Sequence, residues 1–395
     1  MKFYITGMDD NRNPCFSEEV RGIINTHTVF SGGIRHHAIL SPILPPNHHW
    51  IDITVPLERV FRQYAAFPEM VVFVSGDPLF FGFAVTLQKA MPESEIIVYP
   101  SFNSLQLLAH RLLMPYHDMY AVSLTGRSWH RLDEALITGY DKIGVLTDSK
   151  QHTPQAVAQR MVDYGYDNYT MSVGELLGNK EKEKVSVYGL KEVVNRKFSF
   201  PNNLILQKTS HRARPFGIPD NQFNLLDGRT KMITKMPIRL LTLSMLDLRD
   251  KTVFWDIGFC TGAISIEAKM QFPHLQVVAF EKRSEGQPLI ESNARKFGTP
   301  GIQSVIADFT ATDVSAYPPP DAVFIGGHSG GMKEIIEKVS NVLRPGGVVV
   351  FNAVSDESSR LFKENIDFLQ LKPSQNIFIK IDAFNTIEII KISKK

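Results

Sequence analysis

An acidic residue and two glycines follow an apolar run in the second half of the sequence. Asp256 lies near the end of the run, and Gly258 and Gly262 follow directly before a second apolar stretch. A strand that turns through glycines into a helix brings backbone N–H groups close to a ligand. Glu281 ends the next apolar run about 20 residues after the turn, the spacing of a carboxylate that binds ribose hydroxyls. The pattern therefore predicts a site for an adenosine-bearing cofactor across the ends of two parallel strands.

The residues of this turn favour one class of cofactor. A dinucleotide-binding turn carries glycine or a close substitute at its first, third and sixth positions, where this chain has Gly258, Cys260 and Ala263. The missing second glycine argues against a nicotinamide oxidoreductase. Asp256 suits the positive groups of S-adenosylmethionine, and Asp308, at the end of a further strand, is expected near the adenine. The alternative is an α/β turn that uses its glycines for geometry alone.

A second turn of this kind lies in the first half of the sequence. The apolar run 71–74 ends in Ser75, Gly76, Asp77 and Pro78, and a helical pattern follows. Proline at a helix start sacrifices no hydrogen bond, because its missing N–H would be unpaired there. The turn predicts a ligand-binding site that offers exposed backbone amides and one carboxylate. A well-capped strand-to-helix turn is the alternative.

Strand-like and helix-like runs alternate along the chain, which predicts α/β layers with parallel strands. In the first half, residues 1–208, a break near Pro115 predicts two lobes of about 1–114 and 115–208. The helical pattern after Pro78 is expected to run over 79–91.

The second half is predicted to be a separate domain. Residues 209–222 lack periodicity and contain two prolines and a glycine, so they are predicted to be a linker. Residues 223–395 then predict a Rossmann-like sheet of seven strands. Its last two strands are expected to form a hairpin with a turn at 383–385, which makes one edge antiparallel.

Composition excludes several classes of protein. A net charge of +2 over 395 residues gives no sign of nucleic-acid binding. The two cysteines predict a reducing compartment, and no Cys/His cluster has metal-ligand spacing, so no metal is expected. Neither a signal peptide nor a membrane span of roughly 18 apolar residues is recognisable. We expect a cytoplasmic protein that forms a homo-oligomer.

The second half carries motifs of a known family. They are Thr234-Lys235 before the first helix, Asp256 to Gly262 leading into Ile266-Glu267-Ala268, Asp321, and Phe324 to Gly330. These motifs resemble the class I methyltransferase domain that methylates carbon 15 of a corrin precursor and decarboxylates an acetate side chain. The resemblance implies that Thr234, Lys235, Gly326 and Gly327 belong to the S-adenosylmethionine site. Phe259 and Cys260 depart from the family pattern, which has small residues at these two positions.

The first half resembles a different family. Its motifs are Ser75 to Gly82, Ser31 to His36, Asn103-Ser104, Ser123 to Arg127, Leu146-Thr147-Asp148 and Val173 to Gly178. They are similar to those of the tetrapyrrole methylases (class III methyltransferases), in which two α/β lobes hold S-adenosylmethionine in a cleft. The resemblance implies a cofactor site at Gly76, Asp77, Pro78 and Ser104. The turn after Gly7 lacks the further glycines of the family.

One chain that joins the two types resembles the fused methyltransferases of cobalamin biosynthesis. The resemblance implies methylation of a tetrapyrrole at carbons 5 and 15, decarboxylation of the ring C acetate, and one S-adenosylmethionine site per domain. Arg35 and Arg127 are candidate partners of substrate carboxylates, because guanidinium groups bind carboxylates bidentately; a surface role is the alternative for each. No residue is assigned to the decarboxylation.

Two other functions stay open at this point. The altered turn after Gly7 allows a first half that is a degenerate binding module without methyl transfer. Methylation of nucleic acid by the second half is disfavoured by the near-neutral charge.

Overall fold

The computed structural model describes residues 1–226, 232–328, 330–368, 373–381 and 386–394. These residues form two compact units. The first unit contains Met1–Arg127, Asp141–Gln159 and Tyr169–Thr209, and the second contains Ser128–Tyr140, Arg160–Asn168 and Ser210–Lys395. Within the described residues, no helix is long and apolar enough to cross a bilayer.

The first unit begins with a parallel sheet. Its strands are β1 (Lys2–Met8), β2 (Val29–Gly32), β3 (His49–Asp52), β4 (Glu69–Ser75) and β5 (Glu95–Tyr99), in the order β3-β2-β4-β1-β5. The helices are α1 (Glu18–Thr26), α2 (Ile34–Leu40), α3 (Leu57–Tyr64), α4 (Phe83–Ala90) and α5 (Ser104–Arg111). Because all the pairings are parallel, the ends of β1, β2, β4 and β5 open onto one edge, where ligands bind in such sheets.

A mixed sheet completes the first unit. Its strands are β6 (Tyr120–Ser123), β7 (Lys142–Leu146), β8 (Tyr169–Glu175), β9 (Lys184–Gly189) and β10 (Asn202–Lys208), in the order β6-β7-β10-β8-β9. Strands β6 and β7 are parallel, and the other pairs are antiparallel. Three helices lie among these strands in the sequence: α6 (His130–Thr138), which belongs to the second unit, α7 (Pro154–Asp163), whose residues from Arg160 also belong to it, and α8 (Leu190–Val193).

The second unit contains the predicted Rossmann-like sheet. Its strands are β11 (Val253–Ile257), β12 (Gln276–Glu281), β13 (Ile302–Ile306), β14 (Ala322–Ile325), β15 (Val348–Ala353), β16 (Pro373–Ile379) and β17 (Ile387–Ser393). Among the described residues the sheet has seven strands in the order β13-β12-β11-β14-β15-β17-β16. Strand β17 is antiparallel to both β15 and β16. The predicted seven-stranded sheet with an antiparallel edge is confirmed; the predicted turn at 383–385 lies outside the described residues.

Helices cover this sheet, so its central strands are buried on both faces. The helices are α9 (Met236–Met245), α10 (Ala263–Gln271), α11 (Gly286–Phe297), α12 (Met332–Val342) and α13 (Asp356–Phe368). Along β11, Trp255 packs with Ile336 of α12 on one face, and Phe254 packs with Ile238 of α9 on the other. This two-sided packing fixes the end of β11, where Asp256 and the glycine turn lie.

Short 3₁₀ turns occur at Ser41–Ile43, Asp220–Gln222, Leu248–Asp250 and Val314–Ala316. The second of these lies in the segment predicted to be a linker. That segment packs within the second unit, because Ile218 is fully buried and contacts the core formed by Ile266 and Met270 of α10. The limits of the two predicted domains stay a prediction.

One predicted boundary differs from the structure. The helix expected over 79–91 begins only at Phe83. Asp77 accepts a hydrogen bond from the Leu79 N–H (2.8 Å), and Phe81 has a positive φ of 51°, so the chain makes a compact turn first. Pro78 therefore lies in this turn and is not the first residue of a helix.

Candidate functional site

A cavity of about 610 Å³ opens at the carboxyl ends of the strands in the second unit. Eight of the nine residues predicted for the cofactor in this half line it: Thr234, Lys235, Asp256, Gly258, Glu281, Asp308, Gly326 and Gly327. The ninth, Gly262, does not. It precedes α10 with a φ of 74°, and a Cβ there would lie 2.5 Å from the Ile290 side chain of α11, so this glycine permits close helix packing.

The floor of the cavity depends on a close approach between two loops. Gly258 has a φ of 80°, and a Cβ on it would lie 2.8 Å from the backbone nitrogen of Gly327. A side chain at position 258 would therefore force apart the loops that follow β11 and β14. At Gly327 itself, a Cβ would meet nothing within 4 Å, so space beside this residue is open.

Asp256 lies in the floor of the cavity with one oxygen unsatisfied. It is 1% exposed, and its Oδ2 accepts a hydrogen bond from the Ser265 hydroxyl at 2.6 Å. Its Oδ1 has no hydrogen-bond partner among the described residues. Burial raises the pKa of Asp256 to about 7, although the Ser265 hydrogen bonds oppose the shift. A buried carboxylate oxygen without a partner is costly, so this site favours a ligand with a positive or N–H-bearing group.

Glu281 is held in place by its neighbours. Its Oε2 accepts the Cys260 N–H at 3.0 Å, and its Oε1 accepts the Arg283 N–H at 3.0 Å. The Arg283 guanidinium bonds both oxygens, at 3.0 and 3.2 Å. Burial by itself raises the pKa of Glu281, but the hydrogen bonds and positive charge of Arg283 together with the Cys260 N–H outweigh it, and the net pKa is below its usual value. Ribose hydroxyls that bind this carboxylate must therefore compete with the side chain of Arg283.

Cys260 has the backbone conformation of a glycine. Its φ is 49°, in the left-handed region that glycine adopts most easily. This conformation directs its N–H to Glu281, so the turn after β11 and the end of β12 are tied together. The side chain that departs from the family pattern lines the cavity.

Thr234 and Lys235 are positioned by a buried ion pair. Arg239 and Glu267 are both fully buried, and Nε of Arg239 lies 2.6 Å from Oε2 of Glu267. The same guanidinium donates to the carbonyl oxygen of Thr234 at 2.5 Å and to Asp220 at 2.6 Å. Glu267 is therefore a structural residue that holds the segment before α9 beside the cavity. Its partner Arg239 was not predicted, because nothing in the sequence pairs two residues on separate helices.

Asp308 lies at the rim. Its side chain is 47% exposed, and Oδ2 lies 3.6 Å from Lys282 Nζ. The residues that line the cavity without having been predicted to belong to it include His328 and Asn352. His328 could have been predicted to line the cavity, because it lies between the glycines of the motif Phe324 to Gly330.

A smaller cavity, of about 100 Å³, lies within the first unit. Gly76 and Ser104 line it as predicted, but Asp77 and Pro78 do not. Gly76 lies in the loop after β4, and a Cβ on Gly7 of β1 would lie 2.0 Å from its carbonyl oxygen. The two halves of the chain therefore have the same arrangement. In each, a glycine at the end of a central strand (Gly7 or Gly258) contacts the loop that follows a neighbouring strand.

The two arginines predicted for substrate carboxylates have partners within the first unit. Arg35 lies 3.3 Å from the buried carboxylate of Asp10 and donates to Ser75 at 2.9 Å. Arg127 donates to Ser123 at 2.8 Å and lies over the ring of Phe81, 5.4 Å from its centroid. Of the two, only Arg35 lines the small cavity.

Asn203 is one of the polar residues of this cavity that were not predicted to belong to it. It is 1% exposed, and neither its side-chain oxygen nor its nitrogen has a hydrogen-bond partner among the described residues. A buried amide without a hydrogen-bond partner among the described residues is costly, so Asn203 favours a polar ligand group in the small cavity.

These observations fit S-adenosylmethionine in the second unit. The unpaired oxygen of Asp256 suits its positive end, and Glu281 suits its ribose. No group of three or more His, Cys, Asp or Glu side chains suited to a metal ion occurs in the described part of the chain.

Comparisons with known proteins agree with this chemistry. A family model described as a precorrin methyltransferase domain matches residues 226–368. The chain is 29% identical over 357 residues to a precorrin-6Y C(5,15)-methyltransferase [decarboxylating] of Sinorhizobium sp, which covers 89% of this chain and 84% of the relative. It is 34% identical over 133 residues to a cobalt-precorrin-6B C(15)-methyltransferase (decarboxylating) of Salmonella typhimurium, covering 34% of this chain and 68% of the relative.

A solved structure of a precorrin-6Y C5,15-methyltransferase from Geobacter metallireducens is 31% identical to this chain. The match covers 47% of this chain and the whole of that one, with a TM-score of 0.43.

Proposed function

Because this chain belongs to the decarboxylating precorrin-6Y C(5,15)-methyltransferase family, we propose that it methylates a precorrin-6Y-type macrocycle at carbons 5 and 15. The second unit methylates carbon 15 and removes the carboxyl group of the ring C acetate, and the first unit methylates carbon 5. Each reaction uses its own S-adenosylmethionine site. This is a step of cobalamin biosynthesis.

The observation that carries the proposal is the unpaired oxygen of Asp256 in the floor of the large cavity. S-adenosylmethionine, when bound, supplies an electrophilic methyl group together with a positively charged amino acid end. Asp256 holds the positive end, and Gly258 lets the loops after β11 and β14 approach each other in the floor of the cavity. Glu281 binds the ribose hydroxyls once the one-third-exposed Arg283 side chain gives way to them.

The chain needs no nucleophile of its own for methyl transfer. The electron-rich macrocycle attacks the methyl group, so the protein orients the two reactants and excludes water. Thr234 and Lys235, held by Arg239, form one wall, and the loop from Gly326 forms another.

In the first unit, Gly76, Ser104 and Asn203 form the inner end of the second cofactor site. Asp77 and Pro78 support it by shaping the turn, since Asp77 bonds the Leu79 N–H. Arg127, whose guanidinium lies over the ring of Phe81, is the proposed partner of substrate carboxylates in the first unit. Arg35 binds a substrate carboxylate only if it gives up its hydrogen bond to Ser75.

A degenerate first unit is the second candidate. Its motivation is the size of the first cavity, about 100 Å³ against about 610 Å³ in the second unit. In that case only the second unit transfers a methyl group, and the first unit holds the macrocycle. A cytoplasmic location, a homo-oligomeric state and the lack of a nucleic-acid partner stay predictions.

The test is the mass of the product that the full chain forms from a reduced precorrin-6 substrate and S-adenosylmethionine. The proposal expects a gain of two methyl groups and the loss of one carbon dioxide. One methyl group with loss of carbon dioxide would support the degenerate first unit. A product without added methyl groups would overturn both.

A further inference from the structure

His328 is the one imidazole among the described residues that line the large cavity. It follows Gly326 and Gly327 in the loop after β14, and its half-buried ring lies edge-on to Phe351, with 6.3 Å between centroids. Gly327, the residue directly before His328, has open space beside its Cα. The loop thus carries a polar ring at a place where the backbone leaves room for a ligand.

The hydrogen bonding of the ring leaves one nitrogen available. The Gly330 N–H donates to Nδ1 of His328 at 3.3 Å. A neutral imidazole has one donor and one acceptor, so acceptance at Nδ1 places the proton on Nε2. Among the described residues Nε2 has no hydrogen-bond partner. His328 therefore presents an N–H donor at the cavity.

Other charged groups of the cavity are already engaged. Asp256 bonds Ser265, and Glu281 bonds Arg283. Lys282 lies 3.6 Å from Asp308, and Lys235 lies 3.6 Å from Asp220. His328 therefore offers a substrate carboxylate a donor that no described side chain already engages.

The proposed reaction places a carboxylate there. Loss of carbon dioxide breaks the bond between the acetate CH₂ and its carboxylate, and the electron pair passes into the conjugated ring. The CH₂ carbon then gains a proton from solvent and becomes a methyl group, while the methylated ring carbon releases its own proton. The bond breaks fastest when it stands perpendicular to the ring, because the electron pair then overlaps the π system.

We propose that His328 is a catalytic residue of decarboxylation, whose Nε2–H binds the acetate carboxylate and holds it out of the plane of the ring. This inference rests on the proposed function of the second unit. Neutral carbon dioxide binds a hydrogen-bond donor weakly, so the product leaves the histidine without further assistance.

The experiment compares full-length variants by the rate of carbon dioxide release and by the affinity for S-adenosylmethionine. His328→Leu removes the donor, and His328→Gln keeps an N–H group at the reach of Nε2. His211→Leu, in an exposed position outside both cavities, is the matched control. We expect His328→Leu to slow carbon dioxide release about 10- to 100-fold, because the acetate carboxylate is then no longer held out of the plane of the ring.

Cofactor affinity should stay within about twofold in all three variants, and His328→Gln should recover most of the rate. Equal rates in His328→Leu and wild type would overturn the proposal, as would lost cofactor binding or a failure of glutamine to rescue. If the wild-type chain itself releases no carbon dioxide, the proposed function fails before the role of His328 is tested.

Discussion

The guanidinium of Arg239 and the carboxylate of Glu267 form an ion pair from which solvent is excluded, with 2.6 Å between Nε and Oε2. The pair connects α9 to α10, and through the Thr234 carbonyl it reaches the wall of the cofactor cavity. The stability of the second unit and the shape of its site therefore depend on the same two side chains.

Removing one partner of this pair should destabilise the chain strongly. Arg239→Met leaves the Glu267 carboxylate buried without its cation, which costs about 3–5 kcal/mol in the free energy of unfolding. Urea unfolding followed by tryptophan fluorescence measures the loss. Arg360→Met is the control, because Arg360 belongs to an exposed pair with Glu364 and should cost less than about 1 kcal/mol. Equal losses in the two variants would show that the buried pair does not support the fold.

Cofactor binding in the second unit should depend on pH through Asp256. Its pKa of about 7 in the folded chain exceeds its usual 3.8, so the folded site keeps a proton that the unfolded chain loses between pH 4 and 7. Stability consequently falls as pH rises through this window. A positive ligand group favours the ionised form, so the Kd for S-adenosylmethionine should rise about tenfold per unit as pH falls below 7.

Isothermal titration calorimetry from pH 5.5 to 8 measures this dependence. Asp256→Asn should bind the cofactor weakly at every pH and without the slope. A slope that persists in Asp256→Asn would assign the proton to another group.

In the first unit, stability and binding should respond in opposite directions at Asn203. Asn203→Leu keeps a similar volume and removes two buried polar atoms without partners, so unfolding should become harder by about 1–3 kcal/mol. The same change should weaken cofactor binding in the first unit. Thermal unfolding and calorimetry on one preparation measure both quantities. A destabilised variant with unchanged binding would mean that the amide serves the fold alone.

The sequence predicted those parts of the fold that carry a strong local pattern. Val253–Ile257 is buried along its whole length and apolar except for Asp256, and the glycines after it mark the turn. The four-residue strand Val29–Gly32 and the half-exposed strand Lys184–Gly189 have no such pattern, so the sequence does not predict them. Pairing with neighbouring strands specifies them, which a local pattern does not record.

The candidate site was predictable to a similar extent. Residues at strand ends, such as Asp256 and Glu281, follow from the order of elements, because parallel strands end at one edge. The engagement of Glu281 by Arg283 depends on rotamers, and the burial of Asn203 depends on a distant strand pairing. Neither feature can be predicted from the spacing of residues in the sequence.

The central claim is that each half of the chain holds its own S-adenosylmethionine, and the number of molecules bound per chain tests it most directly. Calorimetry should give two for the wild type. Glu281→Gln should weaken one of them about 10- to 100-fold, because it removes a charged acceptor, and leave the other unchanged. A single bound molecule in the wild type, or two unchanged affinities in Glu281→Gln, would contradict the account.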